Sequence, residues 1–232
     1  MSDSDQPILY IVATPIGNLD DVTYRAIKIL KEVDFIIAED KRRSSILFRH
    51  YEIKPNHLIS YHAKNIEWMT TKVIDRLLIS KSAALISSAG TPTISDPGVI
   101  LVKEAIKHQI RISPIAGPSA LIAAISASGL PSHKFIFEGF LPRKKGRTTI
   151  IQSWEFEKRT VLFYEAPTRI IKTLTDIKNL IGVRKVMLAR EISKIYEEFI
   201  GGDLDSIIIK LEERKELRGE FTVLIAPHNF EA

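Results

Sequence analysis

Ser87-Ser88-Ala89-Gly90-Thr91-Pro92-Thr93-Ile94-Ser95-Asp96-Pro97-Gly98 is a loop between two periodic segments. The apolar run Ala83–Ile86 before it reads as a buried strand. After it, Val99, Val102, Ala105 and Ile106 share one face of a helix. Asp96 followed by Pro97 reads as N-cap and first helical residue. Strand, Gly/Pro-rich loop and helix form the unit of an open parallel sheet, whose ligands bind at the carboxyl ends of strands. Gly90 lets a ligand approach the backbone, and Pro92 and Pro97 stiffen the rim. The loop has no Lys or Arg, so it is not a phosphate clamp. Backbone amides and small hydroxyls suit a neutral or zwitterionic ligand. Taken alone, the loop reads equally well as a tight turn with a good cap.

Working outward, Ile8–Val12, Phe35–Ala38, Leu58–Tyr61 and Arg111–Ile115 read as further strands. Asp20 or Asp21 caps a helix striped by Val22, Ala26, Ile29 and Leu30. Ser44 or Ser45 starts a short helix to His50, and Asn65 caps one with Val73, Ile74, Leu77 and Leu78 inside. The order βαβαβαβαβ, with connections too long for hairpins, predicts a mostly parallel sheet covered by helices. Ala116-Gly117-Pro118-Ser119 punctuates the chain and predicts a hinge. The expected organisation is a tail at 1–7, one α/β domain at 8–116 and a second at 117–232.

The second half also alternates. A small-residue helix, Ala120–Ser128, precedes strands at Phe135–Phe140, Thr160–Tyr164, Lys185–Ala189 and Glu220–Ala226. Thr168 caps a helix with Ile170, Ile171, Leu174 and Ile177 inside, and Asp203 caps Leu204–Glu213. A hairpin-like connection before the last strand predicts a mixed sheet. Leu141-Pro142-Arg143-Lys144-Lys145-Gly146-Arg147 is the one dense basic loop, which without context reads as a solvated turn.

Composition sets bounds. The chain has 232 residues, 45% hydrophobic and 26% charged, which is ordinary for a globular protein with one large or two small domains. No apolar run reaches the roughly 18 residues of a bilayer span. Met1–Pro7 is polar and acidic, unlike a signal peptide, and a cytoplasmic location is expected. There is no cysteine, hence no disulfide or thiol chemistry. The six histidines lack zinc spacing, and a net charge of +5 tilts the chain towards polyanions. There is no Walker loop, nucleophile elbow, His-Glu-x-x-His motif or full dinucleotide fingerprint. Polar strand ends remain: Thr14–Asn18, Glu39-Asp40, Ser88–Ile94, Tyr164-Glu165 and Arg190-Glu191. Unpaired acids are expensive to bury, so Glu39 and Asp40 are expected to meet solvent, a cation or a ligand.

These stretches together carry a resemblance. Tyr10–Leu19 (with Ala-Thr-Pro-Ile-Gly-Asn-Leu), Ala38-Glu39-Asp40, Ser60-Tyr61-His62, Ala89–Pro92, Ile94–Gly98 and Gly117-Pro118-Ser119 are matched in order. So are Ser126–Pro131, Phe137–Pro142, Phe163–Pro167 and Ala189-Arg190-Glu191. The chain resembles the ribosomal RNA small subunit methyltransferase I family, in the tetrapyrrole-methylase superfamily, over roughly residues 8 to 226.

The resemblance implies two α/β domains with S-adenosylmethionine in the cleft between them, and a homodimer without metal. It also implies methylation of a cytidine ribose 2′-hydroxyl in the decoding region of 16S ribosomal RNA, within the 30S subunit. Carried over, the cofactor residues are Pro15, Gly17, Ser88, Ala89, Gly90, Thr91, Pro92, Thr93, Ile94, Ser119, Ala120, Tyr164, Ala189 and Arg190. A ribose hydroxyl is a weak nucleophile, so a base or acceptor helps. Asp40, Glu39 and Glu165 are the candidates, with orienting the cofactor or pairing to Arg42, Arg169 or Arg190 the alternative. Lys41, Arg42, Arg43, Arg143, Lys144, Lys145 and Arg147 are expected on RNA phosphates, and Tyr61, His62 and Phe140 on the target base. The chain departs from the family pattern at Ser88, where Asp is usual, and at Thr93, where Gly or an apolar residue is usual. A methylase of a small tetrapyrrole-like substrate, or a non-catalytic RNA-binding protein on the same fold, stays open.

Overall fold

The protein, described here by a computed structural model for residues 6–230, folds as two compact units, Met1–Ser119 and Ala120–Ala232. Residues 1–5 of the expected tail lie outside the described residues. Pro7 is tied down, its carbonyl accepting from Arg111 N at 2.9 Å.

In the first unit, β1 (Ile8–Val12), β2 (Phe35–Ala38), β3 (Leu58–Ser60), β4 (Ser82–Ile86) and β5 (Arg111–Ile115) form a parallel sheet in the order β3-β2-β4-β1-β5. Helices α1 (Tyr24–Glu32) and α2 (Lys41–His50) cover one face, where Ala26, Leu30, Leu47 and Phe48 meet Val12, Ile36, Ala38, Ala84 and Ile86. Helices α3 (Ile66–Ser80) and α4 (Val99–Lys107) cover the other, where Val73, Leu77, Leu101 and Ala105 meet Leu9, Ile11, Phe35, Ile37, Ala83 and Leu85. Successive β4 residues therefore feed opposite cores, which is why the strand reads as an unbroken apolar run.

Several helix starts differ from the sequence expectation, because caps are chosen by the path of the chain. Thr23, not Asp20 or Asp21, caps α1, its hydroxyl accepting from Ala26 N. Helix α2 begins at Lys41 with Asp40 as cap, so Lys41, Arg42 and Arg43 form its first turn. Asn65 precedes α3 without a side-chain cap bond; its Oδ1 accepts from His62 N instead. Helix α4 starts after Gly98, not at Asp96. Its buried face is Leu101 and Ala105, while Val99 and Ile106 are exposed.

The second unit contains α5 (Ala120–Ala127), β6 (Phe135–Phe140), α6 (Arg147–Gln152), β7 (Thr160–Glu165), α7 (Ile170–Ile181), β8 (Lys185–Arg190), β9 (Glu198–Asp203), α8 (Leu204–Glu212) and β10 (Phe221–Ile225). Its sheet is mixed, in the order β6-β7-β10-β8-β9, with only β6 and β7 parallel. The antiparallel hairpin falls at β8–β9. Strand β9 is absent from the sequence reading because Gly201 and Gly202 interrupt its β-forming residues. Trp154 stacks on Phe163 at 5.7 Å between centroids. Around this pair close Ile170, Leu174 and Ile177 of α7 and Leu204, Ile207 and Leu211 of α8. Asp203 caps α8 as expected, accepting from Ser206 N.

The units divide after Ser119 rather than after residue 116. Thr91 Oγ1 donates to the Pro118 carbonyl at 3.0 Å, which holds this segment to the first unit.

Candidate active site

In the first unit, β1 connects past β4 to β2, and β4 connects past β1 to β5. The loops after these adjacent strands leave towards opposite faces, and ligands of open α/β sheets bind in the crevice this opens. The two loops are bonded to each other: Thr14 N donates to Gly90 O, and Gly90 N to Thr14 O, both at 2.9 Å. Gly90 has φ +78°, and a Cβ there would sit 3.3 Å from Ile16 Cγ2. Thr93 (φ 74°) and Ser95 (φ 64°) are left-handed non-glycine residues. Such backbone costs about 1 kcal/mol or more per residue and clusters at functional sites. Pro15 is half-buried, and Gly17, Ala89 and Ile94 are exposed around this crevice. Ser88, Thr91 and Thr93 are half-buried and Pro92 is buried. The rim offers backbone groups and hydroxyls without a cation, a donor set that fits a neutral nucleoside carrying a zwitterionic amino acid. Ser119 ends this unit, and Ala120 opens α5 of the second.

Parallel pairing brings an acid to this rim. Ala38 of β2 pairs with Ile86 of β4, so Glu39 emerges beside Ser87 and Ser88. Glu39 Oε2 accepts from Ser88 N at 3.0 Å and Ser88 Oγ at 2.6 Å. No hydrogen bond to Oε1 is formed among the described residues. Asp40 is differently employed. Its Oδ1 accepts from Arg42 N at 2.8 Å and Arg43 N at 3.3 Å as the cap of α2.

Asp96 is the residue that sequence reading missed as part of the site. Its carboxyl is pushed up to about 6, first by burial and then by the Glu39 charge, against a hydrogen bond with Ser87 that lowers it. The acid pair forms across strands, so no local spacing reveals it. The available signal was a strand ending in acids beside a Gly/Pro-rich loop that carries another acid.

The folded carboxyl of Asp96 holds its proton more tightly than the unfolded one. Between the ordinary aspartate value and about 6 the folded chain therefore binds more protons, and this contribution to stability falls as pH rises through that window. Asp96→Asn keeps the shape without the charge. It should raise Tm by about 2–6 °C at pH 7.5 and by much less at pH 4.5. Scanning calorimetry at both pH values checks this; an equal shift at both would show that the charge is not responsible.

In the second unit the structure removes Glu165 from the candidate bases. Its side chain is wholly buried and lies 2.5 Å from Arg169 Nη2 and 3.9 Å from Arg147 Nη1. It also accepts from Ala166 N at 2.8 Å and Thr173 Oγ1 at 2.7 Å. A carboxylate so enclosed reaches no substrate. Arg147 leaves the RNA set for the same reason: its side chain is 11% exposed, and Nε donates to Asp176 Oδ2 at 3.1 Å. Tyr61 is buried, its hydroxyl 2.8 Å from Thr70 Oγ1, so it cannot stack on a base. His62 is half-buried and Phe140 is exposed.

Tyr164 packs edge-on against Phe137 at 5.0 Å and lies 5.4 Å from Phe140. Ala189 is buried in β8. Arg190 Nε donates to the Arg218 carbonyl at 2.8 Å, and its Nη1 lies 3.5 Å from Glu198. The remaining cations are unspent. Lys41, Arg42, Arg43, Arg143, Lys144 and Lys145 are exposed, and none forms an ion pair among the described residues. Three cations in the first turn of a helix oppose its dipole, so local stability does not call for them. Among the described residues, no three His, Cys, Asp or Glu are grouped to hold a metal ion. No helix there is long and apolar enough to cross a membrane.

Comparison with known proteins agrees with the motif reading. The family profile of Tetrapyrrole (Corrin/Porphyrin) Methylases matches residues 8–208. Ribosomal RNA small subunit methyltransferase I of Thermotoga maritima is 45% identical over 218 residues, covering 94% of this chain and 97% of that protein. The protein of the same name from Halalkalibacterium halodurans is 46% identical over 222 residues, covering 95% and 76%. The crystal structure of diphthine synthase has the same fold, with a TM-score of 0.75 at 14% identity over 94% of this chain and 90% of that one. Uroporphyrin-III C-methyl transferase from Thermus thermophilus, complexed with S-adenyl homocysteine, has a TM-score of 0.64 at 18% identity over 93% and 96%. With its doubly wound first sheet, its mixed second sheet and these near-full-length matches, the chain belongs to the ribosomal RNA small subunit methyltransferase I family of tetrapyrrole methylases.

Proposed function

We propose that the protein is an S-adenosylmethionine-dependent methyltransferase that 2′-O-methylates a cytidine ribose in the decoding region of 16S ribosomal RNA, acting as a homodimer on the 30S subunit. The observation that carries this is 45% identity along almost the whole of a relative named for methylating small-subunit ribosomal RNA. The bridged loops after β1 and β4 are consistent with it, offering hydroxyls and backbone groups but no cation to a cofactor without phosphate.

Bound S-adenosylmethionine supplies an electrophilic methyl group on a sulfonium. Around it the chain's residues orient and accept. Pro15, Gly17, Ala89, Gly90, Thr91, Pro92, Thr93 and Ile94 form the rim that holds the nucleoside and amino-acid parts. Ser119, Ala120, Tyr164, Ala189 and Arg190 complete the set by family pattern. Transfer is an in-line displacement, so alignment supplies much of the rate. Glu39, held by Ser88 through one oxygen, has its other oxygen available to accept the ribose proton. Lys41, Arg42, Arg43, Arg143, Lys144 and Lys145 bind phosphates and position the RNA without reading its sequence.

The test is transfer of labelled methyl from S-adenosylmethionine to 30S subunits that lack the modification, followed by nuclease mapping. Label on a cytidine ribose oxygen in the decoding region is expected. Cofactor binding with no label in RNA would overturn the substrate reading.

A further inference from the structure

We propose that Glu165 is a positioning residue for RNA binding, the hub that holds the basic loop Arg143-Lys144-Lys145 in a fixed shape. This rests on the reading of that loop as an RNA contact. Glu165 sits at the end of β7, and both of its arginine partners reach carbonyls where the chain enters the loop. Arg169 directs Nη1 to the Leu141 carbonyl, and Arg147 directs Nη1 to the Pro142 carbonyl, each at 3.5 Å. Arg147 also opens α6 at the far end of the turn, immediately after Lys145 and Gly146. Its backbone N donates to the Lys144 carbonyl at 3.2 Å, and its side chain is fixed by Asp176 Oδ2 and by Thr173 Oγ1 at 2.8 Å. Thr173 Oγ1 in turn lies 2.7 Å from Glu165 Oε2. One buried carboxylate thus clamps both ends of a turn whose tip is exposed and cationic.

The hub carries two acids, Glu165 and Asp176, and two arginines, so it adds no net charge. Its contribution is geometric. Three adjacent cations repel one another and would spread on a free loop. Fixing the loop beforehand lowers the ordering cost when phosphates bind.

The experiment compares full-length variants on unmodified 30S subunits, reading Kd, kcat, KM and trypsin cleavage after residues 143–145. The triple change Arg143→Ala, Lys144→Ala, Lys145→Ala should weaken 30S binding about 30-fold and flatten the log Kd against log salt slope by about 2. Glu165→Gln should raise Kd and KM for 30S about tenfold and speed tryptic cleavage of the loop. It should leave kcat and the KM for S-adenosylmethionine within about twofold. Thr173→Val, a milder cut in the same hub, should shift the same quantities about threefold and carries the test if Glu165→Gln does not fold. Unchanged 30S binding in the triple variant removes the loop from the RNA surface, and the proposal falls with it. A weakened triple variant beside unchanged Glu165→Gln and Thr173→Val overturns the hub alone.

Discussion

Glu39→Gln should lower the turnover of methyl transfer by about 10²–10³-fold while leaving the KM for S-adenosylmethionine within about threefold. The amide oxygen can still accept from Ser88 N and Ser88 Oγ, which lie 3.0 and 2.6 Å from the carboxylate, so the rim keeps its shape. What is lost is the basicity of the second oxygen, and a positioned general base contributes roughly 10²–10⁴-fold. Asp40→Asn is the comparison, because Asn caps a helix about as well as Asp. It should change turnover less than about threefold. Single-turnover assays on 30S subunits measure both. Equal turnover in Glu39→Gln and the parent would remove Glu39 as the acceptor.

Ser88 gains meaning from the same contact. An aspartate here would face Glu39 with a second carboxylate. The serine hydroxyl instead donates to Glu39 and holds it.

Gly98→Ala should destabilise the first unit by about 3–5 kcal/mol. Gly98 has φ +139°, which L residues rarely adopt, and such backbone costs about 1–3 kcal/mol. A methyl there would also stand 2.8 Å from Leu85 Cδ2 and 3.0 Å from Thr93 Cγ2. Leu85 belongs to the core beneath the sheet, and overpacking of this kind costs about 1–3 kcal/mol. Calorimetry should show the transition of the first unit about 10 °C lower. Relief would come through Thr93, so cofactor affinity should fall in the same variant. A Tm within about 2 °C of the parent would mean that the loop tolerates the methyl, and the site would then be less constrained than its geometry implies.

Strand β4, its loop and the parallel order of the first sheet were legible because both faces of the sheet are buried. Ala83, Ala84, Leu85 and Ile86 then had to form an apolar run whichever helices covered them. The α7 stripe of Ile170, Leu174 and Ile177 was legible because its period is set by the helix itself. Helix starts were less so. Asp96-Pro97 has the chemistry of a cap, yet the chain turns through Gly98 first, leaving Asp96 beside Glu39. Residue types at the basic loop were equally plain, but Arg147 belongs to the buried hub and Arg143, Lys144 and Lys145 do not.

The sequence by itself therefore determined the two α/β halves, the family and the loops that carry its polar residues. Each of these depends on local periodicity or on motifs contiguous in the chain. Only the tertiary structure decided which acids are available. Burial encloses Glu165 between two arginines, the local start of α2 takes one oxygen of Asp40 as its cap, and contacts between loops far apart in sequence couple Asp96 to Glu39 and hold one oxygen of Glu39 against Ser88.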